Sequence, residues 1–337
     1  MESRSWDLPL LKWGRLLVFI SLCIFILTCK ENKQVNKKSK PTHRDIPGKA
    51  GAYLIVLGTL QDGGSPHIGC KKDCCKDLFE NPDPKRKVVS IGLVDAKTRQ
   101  TWLIEATPDI AAQLKMLKRI SKFQETEVPA GIFLTHAHLG HYAGLAYLGK
   151  EAMGAKNVPV YVMPRMKTYL ERNGPWSQLV EQKNISLQPL KDETTLKLSS
   201  NFTITPFIVP HRDEFSETVG YKIKGPSKTV LFIPDINKWE IWGKKIREEI
   251  TKVDYAFIDA TFYDGDEINT RNISEIPHPF VIESIELFKN MPAVEKNKIY
   301  FIHFNHTNPL IDPKSKQSEL VTKQGFHIAR PGEMINM

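Results

Sequence analysis

The chain is 337 residues long, 41% apolar and 25% charged, with a formal charge of +9. That length fits one large domain or two small ones, and the apolar content is enough for a sizeable core. The basicity is local: residues 1–29 carry net +1 and residues 30–49 net +5, leaving +3 for the rest, so nucleic-acid binding by the body is not expected.

At the N-terminus, Lys12 and Arg15 precede the apolar run Leu16 to Thr28, which ends at Cys29 and is followed at once by Lys30-Glu31-Asn32-Lys33. About 13 apolar residues are too few for a comfortable membrane span and suit the core of an export signal. Ile26-Leu27-Thr28-Cys29 resembles a bacterial lipobox, whose Cys is lipidated and becomes the mature N-terminus; an uncleaved signal anchor is the alternative. Residues 1–29 are therefore expected to be a lipoprotein-type signal, 30–49 a flexible basic tether, and 50–337 the folded domain. The domain is expected outside the cytoplasm, on the periplasmic or cell-surface side. Membrane contact would come through the lipid anchor, and the outer membrane is favoured in a Gram-negative host because Lys30 follows the Cys.

Ala52 to Gly58 reads as a buried strand, broken by the turn formers Gln61-Asp62-Gly63-Gly64-Ser65-Pro66. His67-x2-Cys70-x3-Cys74-Cys75 then gathers all the cysteines beyond residue 49. This is the composition of a Cys/His zinc site, although adjacent Cys74 and Cys75 are awkward partners for one ion. In an exported protein, a disulfide is the competing reading. Val88 to Val94 and Thr101 to Glu105 form a predicted hairpin around Asp95-Ala96-Lys97, and Thr107-Pro108-Asp109 is expected to cap a helix reaching about Leu117.

The centre of the chain is Thr135-His136-Ala137-His138-Leu139-Gly140-His141, between the apolar strand Ile132-Phe133-Leu134 and the helically spaced Tyr142 to Leu148. Imidazoles on a strand-to-helix turn suit a metal. His136 and His138 can share one ion, and His141 can face a second. Val158 to Val162 is a further strand, Arg165 to Arg172 a helix, and Ser186 to about Ile236 a set of short antiparallel strands. Three of the later apolar runs end in chemistry: Phe207 to Pro210 in His211, Val230 to Pro234 in Asp235, and Ile299 to Ile302 in His303-Phe304-Asn305-His306. Tyr255 to Asp259 itself ends in an acid. Of ten histidines, only His43 and His327 fall outside a candidate site.

The order His-x-His-x-x-His, His, Asp, His resembles the metallo-β-lactamase superfamily, whose fold is a four-layer α/β/β/α sandwich (an α/β class). Gly58-Thr59 to Cys75, Thr107-Pro108-Asp109-Ile110 and His303 to Pro309 are similar to the coenzyme PQQ synthesis protein B family. The three-residue step from His303 to His306 resembles the phosphonate-pathway cyclic-phosphate phosphodiesterase. The resemblance implies that His136, His138 and His211 hold one metal, and that His141, Asp235 and His303 hold a second, with Asp235 bridging. By the same resemblance Cys70, Cys74, Cys75 and His306 form a structural zinc site, leaving His67 spare. Asp259-Ala260-Thr261 followed by His278 is similar to a segment of the tRNA 3′-processing nucleases and implies a catalytic His278.

The implied cofactor is zinc, one or two catalytic ions and one structural, or another divalent metal. The implied activity is hydrolysis of a small-molecule phosphodiester or ester by zinc-activated water, with Asp235 positioning it and His278 donating a proton. The alternative is an accessory or oxidase-like protein without hydrolase activity. One departure stands out: the superfamily's usual Asp between the second and third His is Gly140 here. The second site is therefore expected to have at most three protein ligands and to bind metal more weakly, unless Asp213 or Asp62, which the sequence does not decide, takes its place.

Overall fold

The computed structural model describes residues 51–267 and 275–337. The expected lipoprotein-type signal and basic tether lie outside them. Among the described residues no helix is long and apolar enough to cross a membrane.

Among the described residues, fourteen strands form two seven-stranded sheets. The first contains β1 (Ala52–Gly58), β2 (Ser90–Asp95), β3 (Gln100–Ile104), β4 (Gly131–Phe133), β5 (Val158–Val162) and β6 (Ile185–Pro189). The second contains β7 (Leu196–Lys197), β8 (Thr203–Ile208), β9 (Val219–Lys224), β10 (Thr229–Ile233), β11 (Tyr255–Asp259), β12 (Ile299–Ile302) and β13 (His327–Ile328). The last strand, β14 (Met334–Asn336), returns to pair with β1 at the edge of the first sheet.

Side chains along a strand alternate between its two faces, and here both faces of each sheet are covered. Leu54 and Val56 of β1 point inward to meet Tyr221, Phe232 and Phe257 of the other sheet, while Tyr53, Ile55 and Leu57 point outward. Ile110, Leu114 and Leu117, spaced along one face of the helix Ile110–Ser121, cover that outer surface. Phe301 and Ile258, on the opposite outer surface, pack with Val281 and Phe288 of the helix Val281–Phe288. The layers are therefore helix, sheet, sheet, helix, as the superfamily resemblance implies. Each fully buried aromatic such as Phe232 contributes about 1.5–3 kcal/mol.

Strand direction places the site. β3 to β6 run parallel, as do β10 to β13. β1 runs with β3 because both are antiparallel to β2, and β8 runs with β10 because both are antiparallel to β9. The C-terminal ends of β1, β3, β4, β8, β10, β11 and β12 are thus the ends that deliver polar side chains, the usual place for a site in a parallel sheet.

Three local expectations differ from the structure. Asp109 precedes the helix Ile110–Ser121 without capping it, because its carboxylate accepts the Val88 N–H at 2.8 Å instead. Tyr142 to Leu148 is not an α-helix: a single turn, Leu139–Tyr142, gives way to a 3-10 helix, Ala143–Leu148. Gly144 lies so close to Thr107 that a Cβ there would sit 2.0 Å from the Thr107 carbonyl oxygen, which holds this segment tight against the first sheet. The residues from Ser186 do not begin the antiparallel set. β6 pairs in parallel with β5 and closes the first sheet.

Candidate metal centre

The turn after β4 is fastened to both sheets. Tyr221 donates its hydroxyl to the Leu134 carbonyl, the Val219 N–H donates to the Thr135 carbonyl at 3.2 Å, and the Ala137 N–H donates to Ser216 Oγ at 2.9 Å. Held this way, His136 Nε2 and His138 Nδ1 lie 2.8 Å apart, and His211 Nε2 is 3.2 Å from the same His138 nitrogen. Asp235 reaches this group with Oδ1 3.2 Å from His211 and Oδ2 3.4 Å from His136.

A second group shares Asp235. Its Oδ2 is 3.8 Å from both His141 Nε2 and His303 Nε2, and Asp62 Oδ1 sits 3.0 Å from His141 and 3.6 Å from His303. In each group the ligand atoms all fall within 4.8 Å of one another. Asp213, the other suggested substitute, is not here; it pairs with Arg165 at 3.5 Å.

Around these atoms stands a ring of supporting contacts. Thr135 Oγ1 is 2.9 Å from His136 Nδ1, Asn237 Oδ1 3.1 Å from His211 Nδ1, Glu214 Oε2 3.3 Å from His138 Nε2, and Thr261 Oγ1 2.9 Å from His303 Nδ1. Glu105, fully buried, lies 3.5 Å from His141 Nδ1. Both Glu105 and His303 are held at positive φ (77° and 71°), a left-handed conformation that costs of order 1–3 kcal/mol per residue and is found where surrounding structure enforces it.

Residues 100–304 match the family model described as beta-lactamase superfamily domain. The chain belongs to that superfamily. Among curated relatives it is similar to coenzyme PQQ synthesis protein B of Methylococcus capsulatus, 25% identical over 307 residues that cover 83% of this chain and 98% of the relative. The same protein of Klebsiella pneumoniae is 22% identical, over 85% of this chain and 98% of the relative. Among solved structures, zinc-bound PqqB from Methylobacterium extorquens superposes with a TM-score of 0.70 at 20% identity, covering 85% of this chain and all of that one. A diphosphatase from the PhnP family gives 0.57 at 20% identity, covering 85% and 97%. At these identities the structures show a shared fold.

Within this superfamily scaffold the two groups differ electrostatically: His136 and His138 of the first are held neutral, while nearby carboxylates raise His141 and His303 of the second against their burial. Burial, reinforced by the charge of His141, holds the His136 pKa well below the ordinary imidazole value, and burial lowers His138 too. Neutral imidazole is the form that ligates. Burial opposes charge on Asp235, yet His211, His278 and His303 outweigh it and hold its pKa well below the usual range. Asp235 Oδ1 and His303 Nε2 are buried, face the centre and make no hydrogen bond among the described residues. Buried polar atoms left this way are costly unless a ligand takes them up. Nitrogen and carboxylate donors in this mixture suit zinc and other divalent first-row metals.

His278 sits beside the shared carboxylate, its Nδ1 3.2 Å from Asp235 Oδ1 and 2.9 Å from Asp259 Oδ2. It lines a cavity of about 720 Å³ whose walls also carry Arg212, Lys72, Phe262, Glu267 and Asn305. The cysteine cluster opens on the same cavity. Cys70 and Cys74 sulfurs are 3.7 Å apart, Cys74 and Cys75 3.9 Å, and His306 completes a group of four within 4.8 Å. All three thiols are free in this structure, and adjacent Cys74 and Cys75 both reach the group. Backbone N–H groups of Lys72 and His67 donate to the sulfurs of Cys70 and Cys75. His67 is outside the group, stacked on His306 with ring centroids 4.5 Å apart.

The residues implied as metal ligands from the sequence, and His278, each lie in one of these groups, whereas Asp213 does not. Sequence reading gave no role to Glu105 or Asp259, although both end apolar strand runs, the same signal that marked Asp235.

Proposed function

We propose that the chain is a metal-dependent hydrolase acting on a phosphodiester or ester. His136, His138, His211 and Asp235 would hold one zinc ion. His141, His303 and the same Asp235 would take part in holding a second. Cys70, Cys74, Cys75 and His306 would hold a third in a structural role. When bound, the catalytic ions would supply Lewis acidity and a water of pKa about 7. The observation that carries the reading is the sharing of Asp235 by two converging ligand groups with His278 alongside.

The protein's own groups account for the remaining steps. Asp235 orients the attacking water through its buried carboxylate. Asp259 accepts from His278 Nδ1–H, which leaves His278 Nε2 as the nitrogen available to protonate the leaving oxygen. Arg212 and Lys72 on the cavity wall favour an anionic substrate, and Phe262 offers an apolar surface to the rest of it. The zinc-loaded full chain, assayed on a panel of phosphodiesters, esters and lactones, tests this: turnover on one class supports it, and no turnover on any counts against it.

A second reading rests on the match over 98% of the length of coenzyme PQQ synthesis protein B. There the chain would be a metal-binding accessory or oxidase-like protein, and zinc would bind without hydrolysis of any panel substrate.

A further inference from the structure

The second ligand group contains two imidazoles and the shared Asp235, one donor short of the four that zinc usually takes. The turn that carries His141 supplies no other donor, because position 140 is Gly. We infer that Asp62, from the loop after β1, is the missing ligand, and that Gly140 is there to make room for it. This assignment rests on the two-metal reading above.

Three observations support it. Asp62 Oδ1 lies 3.0 Å from His141 Nε2 and 3.6 Å from His303 Nε2, on the side where the Asp235 carboxylate also converges. His303 Nε2 is buried and without a hydrogen bond among the described residues, so it is aimed at a partner that the protein does not provide. Last, a Cβ built on Gly140 would lie 2.5 Å from Asp62 Cα and 2.8 Å from its Oδ1. Contacts that short are not tolerated, and the first is to backbone, so no rotamer change relieves it. Any side chain at position 140 has to push the Asp62 loop away.

The loop is also restrained from its other side. The Gln61 N–H donates to the Phe304 carbonyl at 2.8 Å, and the Phe304 N–H donates to the Thr59 carbonyl at 2.8 Å. These bonds lock the approach to Asp62 against the residue that follows His303, so both ligands are set by one pair of adjacent segments. A carboxylate delivered from the loop after β1 thus does the work that the histidine turn leaves undone.

The test is zinc stoichiometry and affinity of the metal-stripped full chain, reloaded with zinc alone, for wild type, Asp62→Asn and Gly140→Ala. Wild type is expected to take up two ions in the histidine centre. Asp62→Asn, which keeps the side-chain shape, is expected to lose the second by at least about 100-fold in affinity, the upper end of what loss of an outer partner costs. Gly140→Ala removes no donor and is expected to show the same loss. Circular dichroism of both variants separates this from failure to fold, and Asp62→Asn keeps the assignment testable if Gly140→Ala does not fold. Two ions bound with unchanged affinity in Asp62→Asn would overturn the assignment while leaving the two-metal reading intact. A wild-type histidine centre that binds only one ion would overturn both.

Discussion

Asp259 Oδ2 and His278 Nδ1 are 2.9 Å apart at the buried end of β11, with the far side of the imidazole on the cavity wall. This contact makes Nδ1 the protonated nitrogen and leaves Nε2 for the proposed proton transfer. His278→Asn is expected to lower turnover by about 10²–10⁴-fold for a substrate with an alkoxide leaving group. For a nitrophenyl ester or diester, whose leaving group needs no proton, the loss should be far smaller, with zinc content unchanged. Equal losses on both substrates would rule out proton donation by His278.

The same pair predicts a pH dependence in the metal-stripped chain. Burial opposes both charges, but each partner outweighs it: Asp259 falls to about 2, and His278 rises to about 10 with help from Asp235. The His278 contribution is fully present below its unfolded value of about 6.5 and is lost as pH rises towards about 10. The Asp259 contribution is present above about 3.9 and is lost as pH falls towards about 2. The stability gap between wild type and His278→Asn, read by urea unfolding, should therefore narrow from about pH 6 to about pH 9. A gap that widens over that range contradicts the pairing.

His138 is the partly exposed member of the first ligand group, so its loss should cost function more than fold. His138→Ala is expected to release one zinc ion and reduce turnover by at least about 10³-fold. The thermal midpoint, measured on metal-stripped samples so that lost zinc does not enter, should move by only a few degrees.

Cys70→Ser tests the cysteine cluster and its reach. The segments bearing Asp62 and His303 continue directly into that cluster, through His67 stacked on His306 and through the Phe304 backbone bonds to residues 59 and 61. Emission spectroscopy should show one zinc ion lost outright. Titration should show the second ion of the histidine centre bound about 10-fold more weakly, as for loss of an outer support. Full retention of zinc in Cys70→Ser would remove the structural-site reading.

Tyr221 spans the two sheets to hydrogen-bond the Leu134 carbonyl just before the histidine turn. Tyr221→Phe leaves that buried acceptor unpaired and should cost about 1–3 kcal/mol in urea unfolding. An unchanged midpoint would mean that another group satisfies Leu134.

Much of this architecture is legible in the order of residues alone. Apolar runs ending in His211, Asp235 and His303 mark strands and sites together, because alternation and termination are local properties of a chain. Local reading fails where spacing is ambiguous. Tyr142 to Leu148 has helical spacing yet tightens into a 3-10 turn, since Gly144 is pressed against Thr107. Residues 185–189 look like their antiparallel successors, yet close the first sheet.

The histidine pattern is legible in residue identity and order, while the shared Asp235 and the cysteine cluster with His306 are implied by the superfamily resemblance. Which acid serves which histidine does not follow. Glu105 meets His141, Asp259 meets His278, and Asp62 meets both His141 and His303, although 79 and 241 residues separate Asp62 from those two. Those pairings depend on which strand ends lie side by side, and only the packing of the two sheets settles that.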